Sequence, residues 1–135
     1  MLGCKLSIFL IDSLKDIWSD SKFNSYSSLD VLNDKFGVYV FRDTINGDIL
    51  YIGEAQSQSL KTRVKQNFTE KDSGGTFRKN YMEQENVNFD TYKSYIQDKQ
   101  IICFTLEGKM LIHVLESILI CALNPKYNKE LAPKI

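Results

Sequence analysis

The sequence predicts a small domain of the α/β or α+β class, in which a hairpin is followed by helices, a third strand and a long final helix. Its 135 residues suit one domain with one hydrophobic core. Two apolar, β-branched runs flank Asn46-Gly47, and this arrangement is the strongest short-range signal of a β-hairpin. Residues 110–123 are almost wholly apolar, which predicts a helix buried on most of its sides.

The N-terminal residues predict a helical extension. Apolar side chains between residues 5 and 18 fall near helical spacing, which predicts a short helix. Residues 19–34 are rich in Ser, Asp and Asn, and they predict a loop with one helical turn at residues 29–32. We therefore expect three segments: an extension of residues 1–35 packed on the same domain, a main domain of residues 36–130, and a tail of residues 131–135.

The middle of the chain predicts two strands and a capped helix. The strands cover residues 37–42 and 49–53. Ser59 is a suitable N-cap for the helix that follows, because a serine side chain accepts a hydrogen bond from a backbone N–H of the first turn. Apolar residues then recur at i, i+4 and i+8 up to Phe68, so this helix has one apolar stripe.

The second half of the chain alternates helices with one strand. Ser-Gly-Gly at residues 73–75 breaks the chain. Residues 77–84 and 89–98 predict short helices, and residues 101–106 predict a strand. The final helix should end at the Asn-Pro pair of residues 124–125, because proline disfavours helical geometry in the residue before it.

The charge distribution gives a weak nucleic-acid signal. The formal net charge is zero, which argues against a general nucleic-acid binder. Residues 55–80 nevertheless carry six Lys or Arg side chains against two Glu or Asp. This basic segment is either a contact surface for phosphates or a solvated helix face and loop.

Cysteine content and hydropathy indicate an intracellular protein. Cys4, Cys103 and Cys121 lie in or near apolar runs and predict reduced core thiols rather than disulfides. A zinc site through them is not expected, because no pair has finger-like spacing and the chain has one histidine. The sequence contains no apolar run long enough to cross a bilayer and no signal-peptide pattern. We therefore expect a cytoplasmic protein without a membrane partner.

A single acidic residue, Glu116, interrupts the apolar segment of residues 110–123. An unpaired buried carboxylate is costly, so this group should be neutralised, be paired or bind a metal ion. The alternative is a glutamate at the one solvent-exposed edge of the helix. His113 lies three residues earlier on the same face, and it is either a second metal ligand or an ordinary surface histidine.

Four other residues are candidates for chemistry. Arg63 suits bidentate contact with a phosphate, although a surface arginine would look the same in sequence. Tyr39 and Tyr51 lie on the two hairpin strands and are either cross-strand packing residues or catalytic groups. A tyrosine base would need a nearby cation or metal-bound water, because its ordinary pKa is near 10. Asn128 could contact a phosphate, orient the glutamate or form a turn.

Taken in order, these residues resemble the signature of the GIY-YIG nuclease family. Residues 37–39, Gly-Val-Tyr, are similar to its first signature with Val in place of Ile, and residues 51–53, Tyr-Ile-Gly, match the second. The resemblance covers roughly residues 36–130. Its other landmarks are an arginine helix at residues 60–64, a metal-ligand helix at residues 115–120 and a closing stretch at residues 124–128.

The resemblance implies a central three-stranded antiparallel sheet flanked by helices, and a DNA endonuclease that uses Mg²⁺ or Mn²⁺. By this resemblance Glu116 would hold the metal ion, Tyr39 would help to deprotonate or position the attacking water, and Tyr51 would orient the nucleophile or the phosphate. Arg63 would steady the pentacovalent phosphate, and Asn128 would bind nearby backbone.

Further residues in the matched region are expected to bind the substrate. The backbone amides near residues 74–75 and the two cations that follow could hold a phosphate. The expected substrate-binding residues are Gly53, Lys61, Lys65, Asn67, Arg78 and Lys79.

Two positions depart from the family pattern. Repair-type members usually carry Lys where this chain has Glu54, and members commonly have His or Tyr where it has Asn67. An asparagine side chain cannot exchange a proton, so Asn67 puts the cleavage rate and the identity of the general base in question. The metal site is unaffected.

The sequence therefore predicts a metal-dependent DNA endonuclease. One alternative is a DNA-binding module with the GIY-YIG fold that cleaves DNA slowly or not at all. Another is an interaction protein that keeps only the fold. A monomer and a homodimer are both compatible with one site per chain.

Overall fold

An antiparallel sheet of four strands lies at the centre of the computed structural model, which describes residues 5–11 and 29–128. The strand order is β1-β4-β2-β3, and every neighbouring pair is antiparallel. The strands are β1 (Ser7–Ile11), β2 (Gly37–Arg42), β3 (Ile49–Ala55) and β4 (Gln100–Thr105).

Helices cover both faces of this sheet. A short 3-10 turn precedes β2, three helices lie between β3 and β4, and one helix follows β4. Ser59 caps the first of these helices as predicted, because its Oγ accepts a hydrogen bond from the backbone N–H of Thr62 at 3.2 Å. The elements are the turn Asp30–Leu32, α1 (Leu60–Gln66), α2 (Thr76–Glu85), α3 (Phe89–Ile96) and α4 (Lys109–Leu123).

The prediction of an N-terminal helix was wrong for Ser7–Ile11, which form β1 and pair with β4. The sheet therefore has a fourth strand beside the three that were expected. Ile11 is buried and Phe9 packs against the core, whereas Ile8 and Leu10 are exposed, so the side chains alternate across the strand. The rest of the predicted helix, residues 12–18, lies outside the described residues.

The final helix is less buried than its composition predicted. Three residues spaced four apart, Ile112, Glu116 and Ile120, form its buried line. This line packs on the sheet with Val40 and Ile52, whose side chains point to the same face. Met110 and Ile118 are 78% and 58% exposed, because no described element covers the outer side of α4.

An aromatic core occupies the opposite face of the sheet. Phe77 of α2 lies at its centre, with its ring centroid 4.7 Å from that of Phe41 and 5.5 Å from that of Tyr51. Tyr92 and Tyr127 approach the same ring at 5.9 and 5.8 Å. These contacts fix the position of β3 relative to α2, because interlocking rings leave little freedom to slide.

The chain after α4 pairs with the outer edge of β3. The backbone N–H groups of Lys126 and Tyr127 donate to the carbonyls of Ile49 and Leu50 at 3.0 and 2.9 Å. The buried amide of Asn128 then accepts from the N–H of Ile52 at 2.9 Å and donates to its carbonyl at 2.8 Å. The edge of β3 is thus covered, and part of its hydrogen bonding comes from a side chain.

The two described cysteines differ in burial. Cys103 is buried as predicted, and burial raises the pKa of its thiol to about 12. Cys121 is exposed on α4, so the prediction of a core thiol was wrong there, and Cys4 lies outside the described residues.

Within residues 5–11 and 29–128 no helix has the length and hydrophobicity needed to span a bilayer.

Replacing Asn128 should destabilise the fold through β3. We expect Asn128→Ala to lower the free energy of unfolding by about 2 kcal/mol, because it leaves the buried N–H and C=O of Ile52 without their partner. Urea denaturation followed by circular dichroism measures this change.

The matched control is Asn33→Ala at an exposed position, which should stay within about 0.5 kcal/mol of the wild type. Equal stability of the two variants would show that the bonds between Asn128 and Ile52 do not hold the strand.

Candidate active site

The two signature tyrosines lie on the same face of the hairpin. In the register of β2 and β3, Tyr39 lies opposite Gly53 and Phe41 lies opposite Tyr51. Tyr39 and Tyr51 are therefore diagonal neighbours, and their ring centroids are 6.2 Å apart. Both side chains are buried, Tyr51 by its stacking on Phe77.

Gly53 makes room for the phenol ring of Tyr39. A Cβ atom at residue 53 would lie 2.3 Å from both Cζ and Oη of Tyr39, which is far inside van der Waals contact. Only glycine allows the ring to cover the strand at this point. Its part in the site is therefore steric, and it determines where the tyrosine hydroxyl lies.

Burial dominates the chemistry of the Tyr39 hydroxyl. The side chain is fully buried, and no group within the described residues reaches hydrogen-bond geometry with Oη. Burial raises the pKa of Tyr39 above its ordinary value, while Arg63 and the Asn67 side chain lower it and Glu116 raises it further. The hydroxyl is thus protonated at neutral pH, and charged groups from α1 and α4 act on it.

Arg63 links α1 to the end of β3. Its Nε donates to the backbone carbonyl of Glu54 at 3.3 Å, and its Nη1 donates to Oε1 of Gln66 at 3.1 Å. The residue is partly exposed, and these two bonds orient its guanidinium. Gln66 was not singled out from the sequence, although its i+3 spacing from Arg63 on a helix is the signal that could have identified it.

Glu116 lies beside two other possible metal ligands. Its side chain is 9% exposed, and Oε1 lies 3.9 Å from Nδ1 of His113. Nδ1 of His113 also lies 3.4 Å from Oε2 of Glu54, whose side chain is 27% exposed. One ligand atom from each residue falls within 4.8 Å of the other two. We call these residues the Glu54–His113–Glu116 cluster.

A hydrogen-bond partner of Glu54, which was not singled out from the sequence, lies directly after β3. Nε2 of Gln56 donates to Oε1 of Glu54 at 2.6 Å. Because Gln56 lies beyond the last residue of β3, the strand pattern gives no signal for this pair. The contact orients the carboxylate so that Oε2 faces His113.

The side chains of Asn128 and Asn67 are buried and form hydrogen bonds within the protein. Both bonding groups of the Asn128 amide are directed to the backbone of Ile52, so this residue positions β3. Asn67 is fully buried, its Oδ1 accepts from the N–H of Arg78 at 3.3 Å, and its carbonyl accepts from the Tyr92 hydroxyl at 2.8 Å. In this conformation Asn67 is not accessible to a substrate. Its side chain instead lowers the pKa of Tyr39.

Arg78 holds a loop instead of facing solvent. It is 2% exposed, and its guanidinium donates to the backbone carbonyls of Gln66, Thr69 and Asp72. The loop amides expected to bind phosphate are also engaged, since the N–H of Gly74 donates to Oδ1 of Asp72 at 2.8 Å. Burial therefore removes Arg78 from the accessible cations.

The remaining expected cations lie towards solvent. Lys65 and Lys79 are exposed and Lys61 is partly exposed. Nζ of Lys79 donates to the carbonyl of Ser73 at 2.9 Å, a surface contact that a phosphate can replace at little cost. These lysines extend the positive charge of Arg63 along α1 and the start of α2.

Comparison with known proteins identifies the class to which this site belongs. A family model described as the UvrC-like GIY-YIG domain matches residues 35–129. The chain therefore belongs to the UvrC-like GIY-YIG family, and the resemblance drawn from the signature residues is confirmed.

One curated relative is the UvrABC system protein C of Nautilia profundicola, which is 36% identical over 98 residues. The match covers 72% of this chain and 14% of that protein, so the chain spans about a seventh of the relative's length.

Two crystal structures of the GIY-YIG N-terminal endonuclease domain of UvrC from Thermotoga maritima share the fold. They are tyrosine-to-phenylalanine point mutants bound to the catalytic divalent cation. Each has a TM-score of 0.52 and covers 83% of this chain and 100% of its own, at 18% and 19% identity. The expected α+β fold is confirmed by this match.

The Tyr39 hydroxyl has no hydrogen-bond partner among residues 5–11 and 29–128, and this has a measurable consequence. We expect Tyr39→Phe to leave the free energy of unfolding unchanged or to raise it by up to about 1 kcal/mol, because the variant removes a buried polar atom without breaking a hydrogen bond. Chemical denaturation measures the effect.

Tyr92→Phe is the matched control, since its hydroxyl donates to the carbonyl of Asn67 at 2.8 Å. Its loss should lower the free energy of unfolding by about 1 kcal/mol. Equal destabilisation by the two variants would mean that the Tyr39 hydroxyl has a partner in the folded protein.

Proposed function

We propose that this domain is a metal-dependent endonuclease that hydrolyses phosphodiester bonds in DNA. The observation that carries the proposal is the convergence of Tyr39, Arg63 and Glu116 from β2, α1 and α4. The arginine and the carboxylate both lie close enough to the buried phenol to shift its pKa. A proton-transfer group, a phosphate-binding cation and a metal-binding carboxylate are what this hydrolysis requires.

Glu116 is suited to hold the divalent cation, because its carboxylate is largely buried and a second carboxylate lies nearby. The solved Thermotoga maritima domains bind a catalytic divalent cation, and membership of the same family supports a cation here. Such an ion, when bound, would polarise the phosphate and lower the pKa of a coordinated water.

The protein side chains would position the reacting groups. Because the pKa of Tyr39 is raised, its hydroxyl is neutral at pH 7 and would orient the attacking water through a hydrogen bond. Among the described residues Arg63 donates to the Glu54 carbonyl and to the Gln66 side chain, and its planar guanidinium suits bidentate contact with phosphate oxygens. Tyr51 would orient the phosphate beside Tyr39. Asn128 would act indirectly, by fixing β3.

DNA would lie along the basic surface of α1 and the start of α2. Lys61, Lys65 and Lys79 would contact backbone phosphates, which position the duplex without reading its sequence. Mg²⁺ and Mn²⁺ are both suitable ions for cleavage assays, since each accepts carboxylate, water and phosphate oxygens.

Cleavage should depend on the Glu116 carboxylate. Purified protein with Mg²⁺ or Mn²⁺ is expected to cut within a panel of duplex, branched and single-stranded DNAs. Glu116→Gln should slow cleavage by at least about 100-fold, because metal-ion stabilisation of the transition state amounts to several kcal/mol. Gel analysis of end-labelled DNA measures the rates.

Glu107→Gln makes the same chemical change at an exposed position before α4 and should cleave at the wild-type rate. If wild type and Glu116→Gln gave the same background, the nuclease assignment would be rejected.

A second candidate is a DNA-binding module that cuts slowly or not at all. The specific support is Asn67, which is fully buried and cannot exchange a proton. Steeply salt-dependent DNA binding without cleavage under varied metals would select this function, because released counterions make phosphate contacts sensitive to salt.

A further inference from the structure

The Glu54–His113–Glu116 cluster joins two elements that are distant in sequence. Glu54 lies near the end of β3, whereas His113 and Glu116 lie three residues apart on α4. Nδ1 of His113 is 3.4 Å from Oε2 of Glu54 and 3.9 Å from Oε1 of Glu116. Two carboxylates and an imidazole nitrogen therefore face one small volume.

One oxygen of the cluster lacks a hydrogen bond within the described part of the chain. Oε2 of Glu54 is inaccessible to solvent and has no hydrogen-bond partner, while Oε1 of the same carboxylate accepts from Gln56 at 2.6 Å. Oη of the fully buried Tyr39 also lacks a partner, but it lies against Gly53 on the opposite, aromatic face of β3. Buried polar atoms are normally paired, so the Glu54 oxygen indicates a ligand between the end of β3 and α4.

The spacing of the ligand atoms suits one ion. Nitrogen and oxygen ligands of a divalent transition metal lie about 2.0–2.2 Å from it, so ligands of one tetrahedral ion lie about 3.4 Å apart. The cluster has separations of 3.4 and 3.9 Å, with all three ligand atoms within 4.8 Å. The ligand atoms therefore lie near the separations that one ion requires.

We propose that Glu54, His113 and Glu116 together bind one divalent transition-metal ion of the Mn²⁺ or Zn²⁺ class, in preference to Mg²⁺. The imidazole nitrogen accounts for the preference, because Mg²⁺ favours oxygen ligands and keeps several waters, whereas Mn²⁺ and Zn²⁺ accept nitrogen with oxygen. Glu54 supplies the second carboxylate. The inference rests on the proposed function for the catalytic role of the ion, but not for its binding.

The single histidine of the chain provides a direct spectroscopic test. The full chain, stripped of metal and free of DNA, is titrated with Zn²⁺, Mn²⁺ and Mg²⁺ while the imidazole signals are followed by NMR. Zn²⁺ should shift the His113 signals at one ion per chain, Mn²⁺ should broaden them, and Mg²⁺ should leave them in place. Calorimetry should give at least about 10-fold tighter binding of Mn²⁺ than of Mg²⁺.

Variants of the ligands distinguish a three-residue metal site from a site formed by Glu116 alone. We expect Glu54→Gln and His113→Gln each to weaken Mn²⁺ binding by at least about 10-fold, and Glu54→Lys to weaken it further by adding a positive charge. Glu107→Gln is the matched control and should bind as the wild type does. Circular dichroism of each variant checks that the fold is retained.

Two results would overturn the proposal. One is wild-type Mn²⁺ affinity in both Glu54→Gln and His113→Gln, with loss in Glu116→Gln alone. The other is a His113 signal that moves with pH but not with Zn²⁺, which would identify a protonated histidine paired with two carboxylates. DNA cleavage is assayed separately, so failure to cut with intact metal binding would reject the nuclease proposal and not this site.

Discussion

The close approach of Tyr39 to Gly53 is the contact on which the arrangement of the site depends. The ring occupies the space that a Cβ atom would need, and this carries its hydroxyl to the end of β3. The next residue, Glu54, offers its carbonyl to Arg63 and its carboxylate to His113 on α4. Two consecutive residues of one strand thus bring together groups from β2, α1 and α4.

Such a site requires that β3 stay in place although it is the outermost strand of the sheet. The Phe77 ring stacks on the Tyr51 ring. At the outer edge of the sheet, the Asn128 amide hydrogen-bonds to the backbone N–H and C=O of Ile52. The aromatic contact restrains the strand laterally, whereas the amide contact fixes its register. The signature asparagine therefore contributes by holding the strand that carries the second tyrosine.

Local signals predicted much of this fold, and the failures have identifiable physical causes. The Asn46-Gly47 turn and the Ser59 cap act within a few residues, so the sequence contains the complete signal for them. β1 was misassigned because nearly every residue from Leu6 to Ile11 is apolar, and a short apolar run fits a helix or a strand equally well. Pairing with β4, about 90 residues further along the chain, decides the outcome.

The sequence nominates candidate site residues by residue type and order, but it does not show which of them long-range contacts bury. Order along the chain was enough to select Tyr39, Arg63 and Glu116. In contrast, Arg78 resembled a phosphate ligand because no linear pattern records that three backbone carbonyls, one at the end of α1 and two in the loop before α2, converge on it. Glu54 and His113 were noted separately, and only the packing of α4 on β3 brings them together.

The charge balance at the end of β3 connects the proposed ion to the stability of the site. Glu54 and Glu116 place carboxylate oxygens within 4.8 Å of each other, and two negative charges at that separation repel by roughly 3 kcal/mol at an effective dielectric constant near 20. Lysine at position 54 would remove this repulsion, whereas glutamate requires a cation to offset it. Arg63 donates to the backbone carbonyl of Glu54 and not to its carboxylate. In the proposed site, the positive charge that offsets the two carboxylates therefore comes from His113 or from the ion. Ion binding then stabilises the contact between α4 and β3, because an ion that binds the assembled site favours the conformation that assembles it.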